Sequence, residues 1–449
     1  MKIAHVTLTK GTIWTIMSFG GSQFFRLSTN IILTRLLAPQ LFGIMVIVNA
    51  LNTGVELISD VGIGQNIIYN KNGDEPTFAN TAWTLQSLRG VLLWVIACIF
   101  AGPVARYYET PILLIIIPIA SFVLVLSGFS SVNRFLVQRR MQFARLAIYE
   151  IIVGATSAIA QVALAYFFPT IWALVFGVVL AAAIGLIGSF FLLPDVTCKF
   201  KIATHYAWEI LHFGKWIFFG SVVYYFSISL DRLYLAGVVP LALLGVYGIA
   251  RSISELLSIL VLRIGNIVIF PFVASHSQTS RVALREQLVA IRLSFLLVAA
   301  IGFSFSAATI DLAIKIVLDQ RYHAATWMVP VLIMGAWISI LCSLNESTLL
   351  GIGKPRYGAI GYSLKFIWLL IGLPFSFNHF GVLGSIIVVA ISDIFRYVSI
   401  VAGQLRERLT FGKQDFFVTL LMVTLVAIIE WIRWTFGFGT SFENLPFFG

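Results

Sequence analysis

Long apolar runs, broken by short stretches of charge, proline and glycine, dominate the pattern of this chain. They fall near 12–36, 41–63, 78–102, 111–131, 143–167 and 171–193, then near 208–237, 240–270, 286–318, 325–350, 356–377 and 380–405, with a last one near 414–436. A helix needs about 20 apolar residues to cross the hydrocarbon of a bilayer. The pattern therefore predicts an all-α polytopic membrane protein of about 12–13 transmembrane helices. The break from Pro194 to about Tyr206 separates two sets of six. This places an N-terminal lobe in residues 1–195 and a C-terminal lobe in 196–405. A tail, 406–449, holds one further span. Six is an even number, so both lobes enter the membrane from the same side, as in a parallel repeat. Pro39-Gln-Leu-Phe-Gly43 and Pro240-Leu-Ala-Leu-Leu-Gly245 join the first two helices of each set and support the repeat, although Pro and Gly punctuate many interhelical turns.

Alternate loops differ in charge. With the N-terminus in the cytoplasm, eighteen Lys and Arg fall on the cytoplasmic side, among them Arg139, Arg140, Lys199, Arg292 and Arg356. Five fall on the other: Arg35, Arg106, Lys315, Arg321 and Arg433. Positive charge is retained on the cytoplasmic face, so the imbalance sets the expected orientation. Lys2 and Lys10 before an apolar stretch superficially resemble a secretory signal. That stretch reaches Leu37 and contains Arg26, which suits a retained first helix better than a cleaved leader.

Composition sharpens this picture. Of 449 residues, 59% are hydrophobic and 11% charged, with mean hydropathy +0.96, which excludes a water-soluble globule. The net charge of +11 reads as orienting charge on loops. No basic run interleaved with aromatics points to nucleic acid. Cys98, Cys198 and Cys342 lie far apart, and His205 and His212 have no Cys or carboxylate to complete a ligand set, so no metal site and no cofactor are expected. The Gly351-Ile-Gly353-Lys354 run precedes Pro355 and lacks a full phosphate-loop pattern, so it reads as a turn.

The candidate chemistry is polar and lies inside the apolar runs. An ionised side chain at a helix centre costs about 2.5–3.5 kcal/mol on insertion scales, and this chain accepts the cost repeatedly. Ser18, Ser22, Arg26 and Thr29 follow Thr15 along one face of the first helix. Asn49, Asn52, Thr53, Glu56 and Asp60 do the same in the second, and Glu150, Gly154, Ser157 and Gln161 in the fifth. In the second set, Arg251, Glu255 and Ser258 share a face, as do Ser339, Ser343 and Glu346, and Ser392, Arg396 and Ser399. Such stripes imply a wet cavity between two bundles. Arg251 with Glu255, and Asp393 with Arg396, have the spacing of intrahelical pairs. Asp231 and Arg232 are adjacent and point apart. Arg26, Arg89, Arg263 and Lys365 have no sequence-local partner and, with Arg251, are the candidates for an anionic cargo; interhelical pairing with Glu56, Asp60 or Glu346 is the competing reading. Asn49, Glu56, Asp60, Asp231, Arg232, Glu255, Glu346, Asp393 and Arg396 are candidates for lining the cavity or for H⁺ or Na⁺ coupling.

Several motifs resemble one family in order and placement. They are Thr34-Arg35-Leu-Leu-Ala-Pro-Gln-Leu-Phe-Gly43, Asp60-Val-Gly62-Ile-Gly64-Gln65, Arg139-Arg140-Met141-Gln-Phe143, Asp231-Arg232-Leu, Leu244-Gly245-Val-Tyr247, Pro271 and Gly353-Lys-Pro-Arg356. Over about 1–405 the chain resembles bacterial polysaccharide-transporter (Wzx-type) flippases of the multidrug/oligosaccharidyl-lipid/polysaccharide exporter superfamily. The resemblance implies two six-helix lobes around a central cavity with alternating access, in the bacterial inner membrane. It implies a cargo of undecaprenyl-pyrophosphate-linked oligosaccharide, bound for lipopolysaccharide or exopolysaccharide, with polysaccharide polymerase or export machinery as partners. Arg35, Asp60, Asp231 and Arg232 carry over only as motif members. The short C-terminal tail departs from relatives with fourteen spans. A cation-coupled drug or metabolite antiporter is the alternative, though its sites favour carboxylates. A glycan polymerase or ligase is a third reading, disfavoured because no long outward loop offers a catalytic surface; the protein is expected not to be an enzyme.

Overall fold

The structure, a computed structural model, describes residues 2–60, 62–264, 269, 272–273, 280–443 and 445, with side chains described at all of these except 2–13, 15–16, 69, 211, 213–219, 257 and 260–264. Among the described residues there is no strand. The chain folds as two compact units, Met1–Tyr225 and Phe226–Gly449.

The first unit contains α1 (Lys2–Leu36), α2 (Pro39–Ile58), α3 (Ile63–Tyr69), α4 (Pro76–Tyr107), α5 (Leu113–Ala120), α6 (Phe122–Phe129), α7 (Asn133–Arg139), α8 (Phe143–Phe167) and α9 (Ile171–Phe191), and α10 (Thr204–Val238) begins in it. Pro39 and Pro76 open α2 and α4, where a missing N–H is no loss because the first turn has no acceptor for it. Gly62, at φ +65°, separates α2 from α3. The second unit holds α11 (Leu241–Ile264), α12 (Arg281–Val317), a 3₁₀ turn at Gln320–Tyr322, α13 (Ala325–Gly351), α14 (Arg356–Arg406) and α15 (Gly412–Thr435).

Every predicted apolar run coincides with a helix or a broken helix, the 240–270 run as far as Ile264. Eight of the described helices are long and apolar enough to cross a membrane, or nine if the bent segment Leu113–Phe129 with Asn133–Arg139 is one crossing. Helix α14 accounts for two predicted runs. Its 51 residues would stretch about 75 Å if straight, more than twice the hydrocarbon thickness, but Gly381 breaks it at φ 59°, ψ −146°. That conformation is open only to glycine. The protein is a polytopic all-α membrane protein. Its outward surface is accordingly apolar: Phe167, Phe191, Val298 and Ile316 each expose more than 70% of their area.

Two arginines assigned to loops belong inside the protein. Arg292 was counted among cytoplasmic cations and Arg433 among outward ones, yet both are buried in helices, α12 and α15. The run count missed this because each is neutralised by a carboxylate distant in sequence, Asp415 and Asp311. The Gly351–Lys354 segment is a turn as expected. Gly353 lies at φ +74° and the Lys354 amide donates to the Leu349 carbonyl at 2.9 Å.

Helices α4 and α6 cross with their backbones nearly touching. A Cβ on Gly90 would lie 2.6 Å from the Leu124 carbonyl and 2.9 Å from Gly128 Cα. This crossing lets Gln86 Nε2 reach the carbonyls of Ser127, Gly128 and Ser130 at 3.2, 3.0 and 3.0 Å, at the broken end of α6.

Candidate functional site

The break between α2 and α3 opens a polar pocket of about 360 Å³ in the first unit. Asp60 Oδ1 accepts the Gly62 amide at 2.9 Å, which turns the chain sharply and brings Gly64 and Gln65 to the rim. Gly64 has no room for a side chain, because its Cβ would sit 2.4 Å from the Phe135 ring. Glu56, Asp60 and Gln65 line one side of the pocket, Gln86 and Arg89 of α4 another, and Arg134 and Gln138 of α7 a third. The Arg89 guanidinium donates through Nη2 to the Glu56 carbonyl at 2.6 Å and to Ser59 Oγ at 3.0 Å. Its Nε also donates to Ser59 Oγ, at 3.2 Å. Arg134 is exposed and lies over the Phe135 ring at 4.6 Å. Neither guanidinium has a carboxylate within 4.0 Å among the described residues. The pocket thus offers two guanidinium groups, with side-chain amides and carboxylates that suit hydroxyl groups.

Below this pocket Arg139 is structural. Its Nη1 donates to the carbonyls of Ile67, Ile68 and Asn70 at 2.9, 2.8 and 2.5 Å, and it shares Asp74 with Arg140 at 3.0 Å each. Nearby, outside the apolar runs, Tyr206 donates to Glu75 at 2.6 Å, and that bond pushes the phenol above its ordinary pKa.

The second unit holds a chain of charges. Arg251 Nε lies 3.3 Å from Asp231 Oδ2 and 3.1 Å from Glu255 Oε1, which also receives Arg232 Nη2 at 2.8 Å. Tyr247 donates to Asp231. Lys365 Nζ lies 2.9 Å from Asp393 Oδ2, and Arg396 Nη1 lies 3.6 Å from Asp393 Oδ1. Arg396 also holds Glu346, and its guanidinium covers the Tyr362 ring at 4.3 Å. The i,i+4 pair expected of Arg251 and Glu255 and the i,i+3 pair expected of Asp393 and Arg396 are both present, each joined to further partners.

The cationic candidates are therefore dispersed. Arg89 lines the pocket, and Arg26 is exposed on α1. Arg251 and Lys365 have carboxylate partners in the second unit, and the side chain of Arg263 lies outside the described residues. Asn49 and Glu56 are exposed along one stripe of α2, whereas Asn52 accepts the Ser121 hydroxyl at 2.5 Å. The α1 stripe is partly internal: Ser18 is buried and donates to Glu150 of α8. Thr15 lies among the side chains not described. Among the described residues no three His, Cys, Asp or Glu side chains are placed to hold a metal ion.

Residues 32–326 match the polysaccharide biosynthesis protein family. The chain belongs to that family. Among relatives, the succinoglycan biosynthesis transport protein ExoT of Rhizobium meliloti is 20% identical over 81% of this chain and 72% of its own. The lipopolysaccharide biosynthesis protein WzxC of Escherichia coli is 22% identical over 78% of this chain and 68% of its own. The fold is similar to that of the lipid II flippase MurJ in an inward closed conformation, with TM-score 0.71, 11% identity, and coverage of 96% of this chain and 94% of that one. An inward-facing multidrug resistance MATE family transporter of the MOP superfamily gives TM-score 0.65 and 12% identity over 86% and 94%.

In this member of the polysaccharide biosynthesis protein family, sequence reasoning overlooked Gln65, Gln86, Arg134 and Gln138 of the pocket. Arg134 looked like a loop cation, and a glutamine carries no distinctive spacing. Tyr247 was recoverable: it lies four residues before Arg251 and eight before Glu255, on the same helical stripe. Asp311, inside an apolar run, and Asp415, at the edge of the last one, were equally visible signals.

Proposed function

We propose that the protein is a flippase that carries an undecaprenyl-pyrophosphate-linked oligosaccharide from the cytoplasmic to the outer leaflet of the bacterial inner membrane. Its two units alternate access to the cargo, and its N-terminus lies in the cytoplasm. Family membership supports the cargo class. The observation that carries the reading is the first-unit pocket, where Arg89 and Arg134 have no carboxylate within 4.0 Å among the described residues. Arg89 is fixed through Nε and Nη2, leaving Nη1 to donate to a ligand. Two guanidinium groups can engage several oxygens of a pyrophosphate at once, which a point-charge ammonium does less well. Gln65, Gln138 and Glu56, all exposed at the rim, suit the hydroxyls of the first sugars. The exposed stripe of α2 fits an aqueous path, because Asn49 and Glu56 facing hydrocarbon would be costly.

The test is complementation of cells lacking the gene. Arg89→Ala with Arg134→Ala abolishes surface polysaccharide and leaves lipid-linked precursor in the inner leaflet, while protein level and detergent melting stay normal. Arg89→Lys restores part of the export. A stable double variant that exports at the wild-type rate would overturn the reading.

A further inference from the structure

Eight charged side chains of the second unit pair in two sets of four, Arg232, Arg251, Asp231 and Glu255 in the first and Lys365, Arg396, Asp393 and Glu346 in the second. Arg232, Arg251, Lys365 and Arg396 carry four positive charges, and Asp231, Glu255, Glu346 and Asp393 carry four negative ones. Each set is neutral. In the second set Asp393 on α14 lies next to both cations, with the residue only 7% exposed. Lys365, from the part of α14 before the Gly381 break, meets Oδ2 at 2.9 Å. Arg396, from the part after it, is 3.6 Å from Oδ1, and that oxygen accepts no hydrogen bond. The other charged or titratable groups facing this carboxylate are Cys342 and Glu346 of α13 and Arg251 of α11, with Cys342 Sγ on the Asp393 carbonyl at 3.4 Å.

A carboxylate enclosed inside a membrane protein requires a counter-charge. A free Na⁺ can supply it, a proton can remove the need, or a side chain can provide it permanently. An ammonium is a compact charge on a flexible stem and comes nearest, among side chains, to a bound monovalent cation. We propose that Lys365 is a tethered substitute for a coupling cation: its ammonium fills the place beside Asp393 that a free Na⁺ or a proton would otherwise take, so the second unit binds neither there. The assignment stands on the geometry of this unit alone and is independent of what the protein carries. Any ion coupling of transport then falls to other carboxylates, of which Glu56 and Asp60 of the first-unit pocket are the accessible ones.

The experiment measures the melting of the full-length protein in detergent, in sodium chloride and in choline chloride at equal ionic strength. Any difference between the two salts in the wild type is unchanged by Asp393→Asn, because Asp393 binds no free cation. Lys365→Ala exposes the Asp393 carboxylate to a vacant place. It melts about 5 °C or more below wild type in choline and recovers much of the loss in sodium or at mildly acidic pH. The double variant Lys365→Ala/Asp393→Asn returns toward wild type and responds to the cation no more than wild type does. A Lys365→Ala protein that responds neither to sodium nor to pH would overturn the proposal. So would a sodium stabilisation of the wild type that Asp393→Asn abolishes, and that arm decides the matter even where Lys365→Ala cannot be purified. Loss of export in the Arg89/Arg134 variants leaves these melting results untouched, so failure of the flippase reading and failure of this proposal are separable.

Discussion

The guanidinium of Arg292 donates to Asp415 Oδ1 at 2.7 Å, and the two side chains are 0% and 1% exposed. Asn345 Nδ2 and the Tyr397 hydroxyl reach the other carboxylate oxygen at 2.8 and 2.9 Å, and Arg292 lies over the Phe411 ring at 4.1 Å. This pair fixes the start of α15 against α12. At its far end Arg433 grips both oxygens of Asp311 at 2.8 and 2.9 Å. The last helix is clamped at both ends.

Breaking the first clamp is therefore expected to be severe. Asp415→Ala leaves Arg292 buried without its counter-charge and costs about 3–5 kcal/mol, seen as a lower melting temperature in detergent. Replacing both partners with apolar residues, Arg292→Met with Asp415→Leu, recovers most of the loss. An Asp415→Ala protein that melts like wild type would contradict the clamp.

The α4–α6 crossing gives a steric prediction. Gly90→Ala forces a methyl against the Leu124 carbonyl and Gly128, so the helices separate and the protein loses about 1–3 kcal/mol. Gly102, on the same helix, has nothing within 4 Å of its Cβ position, so Gly102→Ala is neutral or stabilising by up to about 1 kcal/mol. Melting of the two variants side by side tests the contact.

Orientation follows from the loop charges and is read by labelling. With Cys98, Cys198 and Cys342 replaced, single cysteines near Lys71, Arg140, Lys199, Arg285 and Arg356 are shielded from an impermeant thiol reagent applied outside intact cells. Cysteines near Tyr108 and Val239 react. The reverse pattern would invert the assignment.

Asp319 provides a pH dependence outside the apolar runs. It accepts the Arg321 amide at 3.0 Å and Arg321 Nε at 2.8 Å, and these bonds hold its carboxyl below the usual carboxylate range. A depressed folded-state pKa stabilises the fold above the unfolded value, and the contribution disappears as pH falls through the folded one. Chemical-shift titration of Asp319 should give a midpoint below that of an unperturbed aspartate, moving up toward it in Arg321→Ala. An unchanged midpoint in the variant would remove Arg321 as the cause.

The chain's own pattern determined the class and where the apolar helices lie, because run length against bilayer thickness is local information that survives without a partner. It also paired Arg251 with Glu255, since helical spacing alone brings those two together. What it left undecided was which charges meet across helices. Lys365 and Asp393, twenty-eight positions apart, Glu346 and Arg396, fifty apart, and Arg292 and Asp415, more than a hundred apart, find each other only when specific helix faces pack. The same holds for the pocket, whose walls come from α2, α3, α4, α6 and α7. A charge in an apolar run announces that it needs a partner or water; only packing, by excluding lipid from one face and another helix from the next, decides which of the two it receives.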